Sequence, residues 1–282
     1  MRVRAVVIRT DYWRPGTDYV RTIVEAVRPI VRDGDIVTVS EKAISVARGL
    51  IIDESRVRPG LLAKFLSEVW MRRMWGGPLG RITKLRRRTL KRLRRYPVAE
   101  GAAHKEVALR CVGLLQALRH YSEGGIDASN LPYSYVSLPL RDGEAVATEI
   151  RGAIERETGR RVMVMIVDGD TTYSFRNLHL APRRLRVRGF IHLGGFLTFV
   201  VGRGLGLRRR STPIAISGEE LNPDLALTLA DIAHKIRGYG AGMTVWDMAR
   251  RFKVGITGIT WEMLESVVHR PIVVLRIEGE RI

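Results

Sequence analysis

Asp168 and Asp170 stand two residues apart in Val167-Asp-Gly-Asp-Thr-Thr172, directly after the apolar run Arg161–Val167. Carboxylates at that spacing, at the end of a buried strand, are natural hard-oxygen ligands for magnesium or manganese, which in turn grip phosphate. Thr171 and Thr172 add hydroxyls beside them. An Asx turn, with each aspartate bonding its own backbone, explains the same residues without a ligand. A second concentration is Gly124-Gly-Ile-Asp127-Ala-Ser129-Asn130. Its two glycines permit close backbone approach, and Asp127, Ser129 and Asn130 offer a carboxylate, a hydroxyl and an amide. A helix-to-loop turn followed by an N-cap uses these types too.

Other candidates are weaker. Gly202-Arg-Gly-Leu-Gly206 has the glycine content of a phosphate loop but lacks the Lys-Ser/Thr ending, and Arg208, Arg209 and Arg210 follow it. The six histidines show no metal-ligand spacing. Cys111 lies in an apolar helical pattern, as a core residue would. A single cysteine excludes an internal disulfide framework and leans toward a reducing, cytoplasmic setting.

The elements that must position these residues are mixed. Val3–Ile8, Ile36–Val39, Arg161–Val167, Thr212–Ser217 and Pro271–Ile277 have the composition of strands. Helical spacing covers 18–31, 59–74, 106–121, 143–157, 223–236, 244–252 and 260–268. The longest apolar stretch, 189–202, is too short to span a bilayer, for which about 20 residues are needed, and is read as buried strand or core. No regular βαβ period is present, so the fold class expected is α+β with a mixed sheet, in a single domain over 1–282.

The formal charge of +19 rests on arginine: only seven of the 48 basic residues are lysine. Such a surface attracts phosphates, carboxylates or nucleic acid, and also arises from composition bias alone. The charge peaks at 81–95, where nine Arg and Lys occur with no acid while Ile82, Leu85, Leu90 and Leu93 keep a helical stripe. This predicts an amphipathic basic helix, ended by Pro97, in an added segment at about 76–97. It suits either polyanion contact or a solvated outer face.

In order along the chain, these blocks resemble the coenzyme F-420 γ-glutamyl ligase family. Gly-Ile-Asp127-Ala-Ser-Asn130 matches its A-G-I-D-x-S-N motif, Ser-Leu-Pro139 its L-L-P, and Val167-Asp168 its strand ending in T-D. Asp33-Gly-Asp35-Ile-Val-Thr-Val with Lys42-Ala-Ile-Ser45 and Gly49 is similar to D-G-D-V-L-V-V followed by K-x-x-S-K-A-E-G. Leu225–Ile236 is similar to the family's A-D-E-L-A helix, and Arg270–Arg276 to its closing strand. The resemblance implies a homodimeric ligase that uses GTP and magnesium or manganese to join L-glutamate to an anionic acid. It makes Asp127 and Asp168 catalytic metal ligands, places Ser129 and Asn130 near nucleotide or substrate, and has Lys42 and Ser45 line the same cleft. Asp170, Thr171 and Thr172 join that set by spacing. The chain departs from the family at Val46 and Arg48, where lysine and glutamate are usual, and at Leu140-Arg-Asp142-Gly143, which replaces D-P-D. An altered ligase fold that binds RNA through the 81–95 helix is the alternative.

Overall fold

The computed structural model describes residues 2–121 and 123–278. In chain order it contains β1 (Arg2–Thr10), α1 (Tyr19–Val27), β2 (Ile36–Ser40), α2 (Glu41–Ala47) and β3 (Ile51–Asp53). A helical region follows: α3 (Leu61–Phe65) running into a π-helical stretch (Leu66–Trp75), then α4 (Pro78–Ile82), α5 (Arg87–Arg94), α6 (Val98–Val112) and α7 (Leu114–Ala117). Next are β4 (Tyr135–Ser137), α8 (Gly143–Thr158), β5 (Met163–Phe175), β6 (Leu178–Ala181), β7 (Ile191–His192) and α9 (Gly195–Gly204). The chain closes with β8 (Arg208–Ser217), α10 (Pro223–Arg237), α11 (Val245–Phe252), α12 (Trp261–Glu265) and β9 (His269–Glu278). The architecture is α+β with a mixed sheet, as the sequence indicates. No helix among the described residues is long and apolar enough to cross a membrane.

Seven strands form one sheet in the order β1-β9-β2-β5-β6-β7, with β8 also paired to β5. The central strands are buried on both faces, which is why they read as continuous apolar runs rather than as alternation. Val37, Val39, Val164, Ile166, Ile272 and Val274 face one core, shared with α1, α2 and α8. Ile36, Met163, Met165, Val273 and Leu275 face the other, covered by α10. Local chemistry sets the helix ends: Asp18 accepts from Arg21 N–H at 3.0 Å to cap α1, and Gly159 at φ 68° ends α8.

Several expected elements differ. The helix expected over 106–121 begins earlier, directly after Pro97, and breaks at Gly113, whose φ of 86° no helix accommodates. The 81–95 helix is two pieces, α4 and α5, separated at Lys84 (φ 52°). This segment is knitted into the fold, with Leu93 and Tyr96 packed around Trp75 and Met71. The 189–202 stretch is not a buried strand: after a two-residue strand it forms α9, with Leu197 and Val201 exposed. Gly202 lets α9 lie on Tyr173, because a Cβ there would come within 2.1 Å of the ring.

Candidate active site

β2 and β5 run parallel as far as Ser40 opposite Val167, where β2 ends and β5 continues. Residues leaving the carboxyl ends of adjacent parallel strands border a crevice suited to ligands. Here Lys42, in the first turn of α2, and Asp168, where β5 runs on past the end of β2, line the cleft, with Glu41 buried behind them. Contrary to the sequence expectation, Asp168 does not start a loop, because β5 continues to Phe175. Against β8, Asp168 pairs with Thr212 and Thr171 with Ser211, so Gly169 and Asp170 form a bulge. On the edge of β5 that β2 has left, β6 pairs only from Tyr173 onward, and the intervening residues stay open. A bulge re-aims side chains at such a place. The third contributor is the segment around Asp127, which bridges to Ser137 of β4. These elements enclose a cleft of about 690 Å³, lined by Lys42, Asp127, Ser129, Asn130, Asp168, Asp170 and Thr171 among others.

Lys42 ties two of the sequence blocks together. Its ammonium pairs with Asp127 and donates to Ser129 Oγ at 2.7 Å and to the Ser129 carbonyl at 3.0 Å. Asp127 Oδ1 also accepts from the Ser129 backbone N–H at 2.6 Å, an Asx turn where the sequence suggested a helix-to-loop turn and N-cap. The Asx turn and the ion pair therefore coexist, so the turn reading does not compete with a functional one. Asn130 sits at φ 56° and secures the far wall. Its amide donates to the carbonyls of Tyr239 and Gly242 at 3.2 and 3.1 Å and accepts from Ala241 N–H at 2.7 Å.

Two residues that sequence reasoning missed shape the opposite side. Half-buried Arg183 pairs with Glu41, lies 3.5 Å from Asp168 Oδ2, and donates to the Gly124 carbonyl at 3.2 Å. Gly125 makes room for it: its φ is 95°, and a Cβ would fall 2.1 Å from Arg183 Nη1. Burial pushes Glu41 up to about 7, Arg183 opposing and Asp168 reinforcing the rise. Burial also lowers Arg237 to about 10, Asp168 partly offsetting it, and holds His234 down at about 4 with help from Arg237. His234 therefore faces the cleft as a neutral imidazole that shares a 3.0 Å contact with Arg237. Glu41 had one available signal, a carboxylate next to the family-matching lysine. Arg183 lay in an arginine run with nothing to single it out.

Other expected residues stand elsewhere. Ser45 is fully buried on α2, and Thr172 is buried and bonded to Thr212 at 2.8 Å; neither lines the cleft. Asp170 reaches the cleft wall but lies 3.6 Å from Arg119. Among the described residues no group of three or more His, Cys, Asp or Glu side chains could hold a metal, so the three aspartates are not gathered into one ligand set. Asp127 and Asp168 line one cleft as two hard-oxygen carboxylates, Asp127 engaged by Lys42 and Ser129 and Asp168 facing Arg183. Asp168 Oδ2 is cut off from solvent and receives no hydrogen bond, and Asp127 lines the same cleft. Magnesium commonly takes one or two carboxylates and completes its shell with phosphate and water. Two of the departures from the family pattern compensate each other: Arg48 and Asp142 form a bidentate ion pair at 2.7 and 2.9 Å.

Two comparisons with known proteins bear on the family. The family model described as F420-0:Gamma-glutamyl ligase matches residues 7–181, which carry Glu41, Lys42, Asp127 and Asp168. Arg183, His234 and Arg237 lie beyond that match. Uncharacterized protein MJ1361 of Methanocaldococcus jannaschii is 32% identical over 293 residues, covering 99% of this chain and 98% of its own. With its cleft built from the matched motifs, this chain belongs to the F-420-0 γ-glutamyl ligase family of amide-bond-forming ligases.

Proposed function

We propose that the protein is a GTP- and metal-dependent ligase that joins L-glutamate to F-420-0 or a related anionic acid. GTP transfers its terminal phosphoryl group to the acid's carboxylate, leaving GDP and an acyl phosphate. The glutamate amine then attacks that carbonyl, inorganic phosphate leaves, and the amine gives up a proton. Magnesium or manganese, held by Asp127 and Asp168, would supply charge neutralisation at the triphosphate. The chain's own part is positioning and electrostatics, which dominate phosphoryl transfer. Lys42 is fixed by Asp127 and Ser129 with its charge facing the cleft. Arg237 adds a second cation beside Asp168. Glu41, buried behind the cleft and bonded by Leu140 N–H, holds Arg183 beside Asp168. A homodimer of cytoplasmic location completes the reading.

The observation that carries it is the convergence of Lys42, Asp127, Ser129 and Asp168, from three separate stretches of matched sequence, on one cleft. The test is incubation with GTP, manganese, glutamate and F-420-0, with products read by mass. Glutamylated product is expected, and Asp127→Asn and Asp168→Asn should each lower its rate by about a hundredfold or more with unfolding curves unchanged. Wild-type turnover of GTP without amide product, or full activity in both variants, refutes the assignment.

A further inference from the structure

Among the described residues, the cleft lining also includes exposed cationic side chains that no carboxylate pairs with. Arg86 and Arg209 both line the cleft and are exposed. Arg203 stands behind them, its guanidinium donating to the carbonyls of Thr83 and Lys84 at 3.0 and 2.9 Å and lying 5.9 Å from the Phe199 ring centre. Arg203 feels the other two. Burial first, then Arg209 and, after a small opposing effect of Tyr173, Arg86 lower the affinity of Arg203 for its proton. The nearest carboxylate from β5, Asp170, faces Arg119. Among the described residues, neither the Arg86 nor the Arg209 side chain has an ion pair or hydrogen bond.

The rest of the basic segment looks different. Arg88 and Arg92 share Asp247, each at 2.8 Å, Arg92 lies over Trp246 at 5.7 Å, and Arg94 donates to the Gly76 carbonyl at 2.7 Å. These contacts bind α5 to the body of the protein and fix Arg86, the residue before its first turn, at the cleft. Like charges held together repel, and an anion relieves that repulsion. The planar guanidinium fork matches phosphate oxygens in pairs.

We propose that Arg86 and Arg209, backed by Arg203, form a phosphate-binding pole of the cleft. The arginine-rich segment is then a wall of the ligand site, not an independent surface for nucleic acid. The occupant is a phosphate group of a small molecule, either the tail of a nucleotide or a phosphorylated co-substrate. The pole stands whether or not the neighbouring residues perform the ligase reaction.

Calorimetric titration of the full chain with tripolyphosphate and with glycerol 3-phosphate tests the pole and separates its two possible sources. Replacing both residues, Arg86→Ala with Arg209→Ala, should weaken at least one probe by about tenfold or more, the loss that two charge-assisted hydrogen bonds imply. Loss for tripolyphosphate alone assigns the pole to a nucleotide tail; loss for glycerol 3-phosphate assigns it to a phosphorylated co-substrate. A control, Arg28→Ala with Arg32→Ala, removes the same charge from exposed positions elsewhere and should leave both affinities unchanged. Absence of binding to the wild type, an equal loss in the control, or unchanged affinity in the paired variant overturns the proposal. So does loss of RNA binding in the paired variant while both small anions still bind. Because the probes need no turnover, failure of glutamylation in the assay above leaves this result unaffected.

Discussion

Two mixed-charge groups lie on either side of the Glu123–Ser129 segment, and they are built in opposite ways. In the helical region Lys105 is fully buried, donating to Glu123 Oε1 and to the Arg119 carbonyl, both at 2.5 Å. His104 lies between Glu54, at 2.7 Å, and Glu123, at 3.2 Å. Each charge there has partners within the protein. In the cleft, Lys42 and Asp127 keep side-chain exposures of 23% and 39%, and Asp168 Oδ2 has no hydrogen bond. A closed network fixes one arrangement of the surrounding helices, whereas an open one keeps bonding capacity for a ligand. Similar residue types thus form a closed network in one place and a partly exposed one in the other.

The comparison breaks most readily at Glu123. Glu123→Leu leaves Lys105 and His104 buried without their shared carboxylate, and should cost about 3 to 5 kcal/mol in urea unfolding. A loss below about 1 kcal/mol would show that the cluster is not structural. A smaller effect follows from pH. Burial disfavours the imidazolium of His104, but Glu54 and Glu123 overcome that and push it up to about 10 from an ordinary 6.5. Because the folded-state value is raised, this contribution is complete below pH 6.5 and fades as pH rises through about 10. Melting temperature should therefore decline across that window, and His104→Gln should flatten the decline. A wild-type curve level to pH 10 would remove His104 from the network.

Much of this division was legible before any coordinates. β1, β2, α8, α10 and β9 follow the apolar patterns closely, because each buries a face whose period survives in the sequence. The block from Gly124 to Asn130 and the aspartates of β5 announced themselves by residue type. What stayed hidden depends on contacts between distant segments. Nothing local distinguishes Arg183, which matters because Gly125, 58 positions earlier, leaves it space. At Asp168, carboxylates that follow an apolar run carry the usual mark of a strand end. The bulge opposite β8 defeats that rule. Gly113 could have split the long helix on sequence alone, since a glycine costs a helix about 1 kcal/mol relative to alanine. The apolar residues on both sides outweighed it.

The smallest expected effect on stability is at Lys42, and it sharpens the contrast most. Lys42→Met keeps the length of the side chain and its apolar stem against the first turn of α2. It removes one partly exposed ion pair and the bonds to Ser129. Exposed pairs contribute little, so unfolding should shift by no more than about 1 kcal/mol. Asp127 retains its bond from Ser129 N–H, so the turn that shapes the cleft wall persists. Glutamylation should nevertheless fall steeply, since the ammonium is the cation that Asp127 and Ser129 hold at the cleft. Paired measurements of urea midpoint and initial rate separate the outcomes. A shift of several kcal/mol would mean that Lys42 belongs to the architecture in the way Lys105 does, and the distinction between a closed cluster and an open site would collapse at its central residue.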